Sequence, residues 1–67
     1  MKVVVNSEEV DIAEGATLAA ALAQVRIEAA TGTAVAVDRR VVPREQWPVL
    51  QLADGSDIVV LNATQGG

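Results

Sequence analysis

Residues 14–25 read Glu14-Gly15-Ala16-Thr17-Leu18-Ala19-Ala20-Ala21-Leu22-Ala23-Gln24-Val25, and this is the stretch from which the fold is read. Leu18, Leu22 and Val25 fall at i, i+4 and i+7 on one face of a helix. Four alanines between them add the best helix former, Thr17 stands where an N-cap is wanted, and Glu14-Gly15-Ala16 interrupts whatever precedes it. The segment is therefore a short helix with one apolar face.

Strand signals flank it on both sides. Val3–Val5 and Val10–Ile12 are short β-branched segments separated by the polar run Asn6-Ser7-Glu8-Glu9, which predicts a hairpin. From Arg26 to Thr33 the periodicity disappears, and Gly32 marks a turn. Ala34-Val35-Ala36-Val37 then reads as a buried strand, Asp38-Arg39-Arg40 as a turn, and Val41-Val42 as a short strand stopped by Pro43. Glu45 to Trp47, closed by Pro48, predicts a single compact turn. After Leu50 and Leu52 come the Asp54-Gly55 turn signal and a last strand, Ile58–Leu61. A hairpin, a crossing helix and a return to the sheet make the β-grasp order, an α+β layout with a mixed sheet of four to five strands and one main helix on one face. The expected organisation is one domain over residues 1–61 and a tail over 62–67.

Composition narrows the function. Sixty-seven residues leave no room for a second domain, and a domain this small buries only about 60% of its unfolded surface, which disfavours a deep cleft. Hydrophobic residues form 51% of the chain, yet Trp47 is its only aromatic. Five basic against nine acidic residues give a net charge of −4, which repels phosphate backbones. No cysteine and no histidine occur, which removes thiolate metal sites, thiol nucleophiles and the usual base and zinc-ligand sets. No metal site, bound cofactor or catalytic residue is expected, nor a nucleic-acid partner. The start, Met1-Lys2-Val3-Val4-Val5-Asn6, lacks the apolar length of a signal region, and the longest apolar run, Leu18 to Ala23, is too short to span a membrane. A cytoplasmic protein with no membrane partner is the expectation.

The chemistry-bearing feature is Gly66-Gly67. Two terminal glycines occur by chance in roughly 0.5% of chains at average glycine usage, so the pair draws its weight from its position. The six residues from Asn62 to Gly67 can extend about 20 Å past the last strand, far enough to carry a carboxylate into another protein's active site. Glycine suits such a tail because a backbone without Cβ passes a narrow channel. A carboxylate is a poor electrophile until ATP converts it to an acyl-adenylate. A sulfur nucleophile then displaces AMP and leaves a thiocarboxylate. A carrier without a thiol has only its terminus on which to hold sulfur.

The chain as a whole resembles the ThiS family of thiamine sulfur carriers. The resemblance rests on Glu14-Gly15-Ala16-Thr17-Leu18, Ala36-Val37-Asp38, Val42-Pro43-Arg44 with Trp47 shortly after, Asp54-Gly55-Ser56-Asp57, and Gly66-Gly67. Relatives often carry Asn where this chain has Asp38, and Ser56 is a mild departure at the turn. The resemblance implies a ubiquitin-like fold and a protein co-substrate that is not itself an enzyme. It implies that an E1-like adenylyltransferase of the ThiF type, using ATP, activates Gly67, with Gly66 needed for access. A persulfide donor then supplies sulfur, and thiazole synthase of the ThiG type consumes it. Sulfur delivery to molybdopterin, cysteine or natural-product synthesis, and a ubiquitin-type tag attached to other proteins, are the alternatives. Trp47 is expected in the core, and Arg39, Arg40 and Arg44 as solvated turn residues with Arg44 pairing locally. Ala29 to Thr33 reads either as a partner-contacting loop or as an ordinary connector.

Overall fold

A computed structural model describes residues 1–25 and 33–62 of the chain. Strand β1 (Lys2–Val5) turns through Asn6-Ser7 into β2 (Glu8–Asp11), helix α1 (Leu18–Gln24) follows, and β3 (Thr33–Val37) turns through Asp38-Arg39 into β4 (Arg40–Val42). A 3-10 turn at Arg44–Gln46 leads on towards β5 (Asp57–Asn62). The five strands form one sheet in the order β2-β1-β5-β3-β4. Only the β1–β5 pair is parallel, and it brings Val4 opposite Asp57 and Val5 opposite Ile58. This is the expected β-grasp, with the last strand of the sequence at the centre of the sheet.

Both hairpins are tighter than the polar runs suggest. Asn6 and Ser7 have φ of 50° and 73°, and Asp38 and Arg39 have φ of 52° and 71°. These are two-residue turns with both central residues left-handed, whose twist matches that of the strands they join. Asn and Asp are the side chains that tolerate this conformation best, which accounts for their place at each first position. As a result Glu8 and Glu9 belong to β2, opposite Val5 and Val4, where the sequence predicts turn residues. Arg40 likewise opens β4 opposite Val37. Charged residues are easily accommodated on such edge strands. Ile12, expected at the end of the second strand, lies just past it and is buried in the core.

The helix is only seven residues long, too short to persist alone in water, so its ends have to be held by the rest of the chain. Thr17 caps it as predicted, its Oγ1 accepting the Ala20 N–H at 3.2 Å. The Leu18 N–H donates to the Leu50 carbonyl at 2.9 Å and the Ala19 N–H to the Trp47 carbonyl at 3.0 Å. The amides that a helix start leaves unpaired thus find partners in the segment that follows the 3-10 turn. Leu18, Ala21 and Leu22 are buried, while Val25 closes the helix half-buried at its edge.

Among the described residues the core is one cluster: Val3, Val5, Ile12, Leu18, Ala21, Leu22, Val35, Trp47, Leu52 and Ile58. Its strand members alternate along β1, β3 and β5, so one face of the sheet meets α1 and the other faces away. β3 is therefore buried on one side only, with Val35 inside and Ala34 exposed, unlike the buried strand its composition suggests. Gly55, with φ +87°, makes the predicted turn, and the buried Ser56 closes it by accepting the Ala53 N–H on Oγ at 3.0 Å. No helix among the described residues is long and apolar enough to cross a membrane.

Candidate functional site

Gly66 and Gly67 lie outside the described residues, as do most of the Ala29 to Thr33 stretch and all of the tail after Asn62. What the structure does describe is the platform from which the tail departs. β5 pairs with β3 along five residue pairs, from Val37–Ile58 to Thr33–Asn62, so the ladder runs one residue beyond the expected domain limit at Leu61.

The opposite flank of β5 is held differently. β1 ends at Val5, but Asn6 extends the pairing from within the turn. Its N–H donates to the Ile58 carbonyl at 2.9 Å and its Oδ1 accepts the Val60 N–H at 2.9 Å. The second turn repeats the device at the start of β5. There the Asp38 N–H donates to the Asp57 carbonyl at 2.8 Å, and Asp38 Oδ1 accepts the Asp57 N–H at 3.0 Å. The two left-handed turns thus clamp β5 between them, and the position of Asn62 follows from backbone geometry.

The remaining residues singled out from sequence divide cleanly. Trp47 is buried, and its indole N–H donates to the Val42 carbonyl at 3.0 Å, as a core aromatic with one polar atom requires. Arg44 pairs locally through the ring: its guanidinium carbon lies 5.8 Å from the Trp47 centroid. Arg39 and Arg40 are exposed. A recess of about 520 Å³ beside the end of β4 has Val37, Val42 and Leu50 as apolar walls, with Asp38 and Ser56 at its rim. Asp38 and Ser56 are already bonded to backbone amides of their own chain, and Arg40 and Gln51 are the other polar residues that line the recess. Among the described residues no group of three acidic, His or Cys side chains stands close enough to hold a metal ion.

One feature went unread in the sequence. Val41, Val59 and Leu61 are 74%, 38% and 59% exposed, all on the sheet face away from α1. Ala36 stands opposite both Val41 and Val59, and Ala34 opposite Leu61, so the five form two adjoining rows. The signal was present in the unbroken apolar run Ile58–Leu61: a single helix covers one face of a sheet, leaving alternate members of such a run outside.

The model of the ThiS family matches residues 1–67. The sulfur carrier protein ThiS of Escherichia coli (strain K12) is 33% identical over 67 residues, covering all of both chains. A crystal structure of a thiamine biosynthesis protein (ThiS) from Geobacter metallireducens superposes with a TM-score of 0.82 at 23% identity, again covering both chains fully. The solution structure of a thiamine biosynthesis protein from the same organism gives a TM-score of 0.77 at 26% identity, covering all of this chain and 88% of that one.

Proposed function

This chain belongs to the ThiS family of sulfur carriers, and from that premise we propose that it carries sulfur as a thiocarboxylate on Gly67 for synthesis of the thiazole of thiamine. The observation that carries the reading is the register of β5. The strand is held by β3 up to Asn62 and by β1 and Asn6 up to Val60, and Gly67 lies five residues beyond Asn62. Such a tail reaches at most about 17 Å. A rigid body with a short glycine-ended extension is what delivery of a carboxylate into another protein requires.

The sequence of steps follows from the chemistry of the carboxyl group. A Gly67 carboxylate oxygen attacks the α-phosphorus of ATP on an E1-like, ThiF-type adenylyltransferase, and pyrophosphate leaves. The terminal sulfur of a persulfide donor adds to the acyl carbon and AMP departs. A thiol then cleaves the sulfur–sulfur bond, leaving the thiocarboxylate that a ThiG-type thiazole synthase consumes. This chain supplies the acyl group and its placement, and the partners supply ATP and catalysis. Gly66 keeps the penultimate position free of a side chain.

Intact-mass spectrometry of the native protein from sulfur-replete cells tests the reading. The expected result is a fraction with one oxygen replaced by sulfur, located on the C-terminal peptide. Unmodified protein alone, even with the adenylyltransferase, ATP and a persulfide donor supplied, would remove the carrier role. Recovery of the chain joined to lysines of other proteins would replace it with that of a tag.

A further inference from the structure

We propose that the outer edge of β4, with the recess beside it on the helix side of the sheet, binds an extended segment of another protein in which an aliphatic residue stands two positions before a carboxylate. The inference goes beyond the sulfur-carrier reading and does not depend on it.

The backbone supplies the first half of the site. β4 is the last strand of the sheet on its side. Val37 and Arg40 flank a two-residue turn and face each other, so they form a hydrogen-bonded pair. The next pair, Ala36 and Val41, is then a non-bonded one, and the N–H and C=O of Val41 point away from β3 towards the free edge. Pro43, two residues on, has no N–H to offer, so the edge admits a short segment centred on Val41. A strand laid antiparallel there exchanges both of its central backbone bonds with Val41.

The side chains supply the second half. Arg40 and Val42 lie on the same face as Val35 and Val37, and both line the recess of about 520 Å³. In an antiparallel segment the residues on either side of the central one face Val42 and Arg40, the earlier residue opposite Val42 and the later opposite Arg40. The earlier position is above the apolar walls formed by Val42, Val37 and Leu50, which suit an aliphatic side chain. The later one meets the Arg40 guanidinium, which is exposed and forms no ion pair among the described residues. Asp38, the other charged residue of the recess, already accepts the Asp57 N–H. A carboxylate is therefore the complement of the Arg40 position.

The occupant is a different protein. Within this chain an aliphatic residue precedes a carboxylate by two positions only at Ile12-Ala13-Glu14 and Leu52-Ala53-Asp54, and Ile12 and Leu52 are buried in the core. The site also stands clear of the tail. The recess includes Ser56, just before β5, whereas the tail leaves from Asn62 at the far end of that strand, about 17 Å away. A protein bound at β4 can hold this chain while the tail stays open to another.

The test is titration of the nitrogen-15-labelled full chain with the peptide acetyl-Gly-Leu-Thr-Glu-Gly-amide, followed by amide chemical shifts. Saturable shifts at Arg40, Val41, Gln51 and Ala53 are expected, with a dissociation constant on the order of 0.1–1 mM for so small a contact. Arg40→Gln, or glutamine for glutamate in the peptide, should weaken binding about two- to fivefold, and the two together no further. Alanine for leucine in the peptide should weaken it about five- to tenfold. Val41→Pro, which removes the edge N–H, should abolish binding; Ala53→Leu, which fills the recess from an exposed position, serves if that variant fails to fold. No saturable shift at these amides, equal affinity for the reversed order Glu-Thr-Leu, or full additivity of the Arg40 and glutamate changes overturns the proposal.

Discussion

Asn6 and Val60 are 54 residues apart in sequence, yet the Asn6 side-chain oxygen accepts the Val60 amide hydrogen at 2.9 Å. The bond continues a parallel ladder past the point where β1 has already turned away, because a left-handed Asn places its carboxamide where the next backbone carbonyl would have been.

Replacing Asn6 separates the two contributions. Asn6→Gly keeps the turn conformation and loses the side-chain bond, with an expected cost of about 1 kcal/mol. Asn6→Ala also forces a Cβ into the left-handed region and should cost about 1–2 kcal/mol more. Urea unfolding of both variants, with amide exchange at Val60, checks the order. Equal stability of the two would show that the turn conformation contributes nothing.

Trp47 is the only aromatic side chain, so intrinsic fluorescence reports on a single core site. Emission should be blue-shifted in the folded protein and move red in one transition on unfolding. Trp47→Ala should cost about 3–5 kcal/mol, a large part of the roughly 5–15 kcal/mol typical of small domains. Trp47→Phe should cost about 1–3 kcal/mol, since the Val42 carbonyl loses the indole N–H. A Phe variant as stable as wild type would mean that the bond is replaced by water.

Thr17→Ala removes the one side-chain cap of a seven-residue helix and should lower stability by about 1 kcal/mol, with Thr17→Ser recovering most of it. The backbone bridge between Thr17 and Gln51 does not depend on the side chain. Thermal unfolding followed by circular dichroism decides it. An unchanged midpoint would place the helix start under the control of its bonds to Leu50 and Trp47 alone.

Function and stability should separate in the tail. Among the described residues the core cluster and its half-buried neighbours reach no further than Val60, and deleting Gly67 or introducing Gly66→Val should leave the thermal midpoint within about 1 °C. The same variants are expected to lose ATP–pyrophosphate exchange with the adenylyltransferase. A truncated chain that exchanges at the normal rate would assign the chemistry elsewhere.

Elements whose cause is local were legible in the sequence. Thr17, the Leu18 and Leu22 face, the Asp54-Gly55 turn and the stop at Pro43 all act within a few residues of themselves. The reading failed where the deciding partner is distant. Glu8 and Glu9 look like turn residues until β1 is known to pair with them, and Ala34 looks buried until the single helix is known to cover the other face. Asn6 and Asp38 were read as punctuation, and nothing local announces that each reaches a backbone amide of β5. The candidate terminus was legible for the opposite reason: two glycines at a chain end are visible without any fold.

The place of β5 at the centre of the sheet sets a schedule for biosynthesis. The β1–β2 hairpin and the β3–β4 hairpin share no strand pairing of their own, and only β5, the last of the five described strands in chain order, joins them. Until its residues have emerged there is no continuous sheet, and the rows formed by Val59 and Leu61 do not exist. A chain cut short before β5 therefore holds two separate hairpins in place of one sheet.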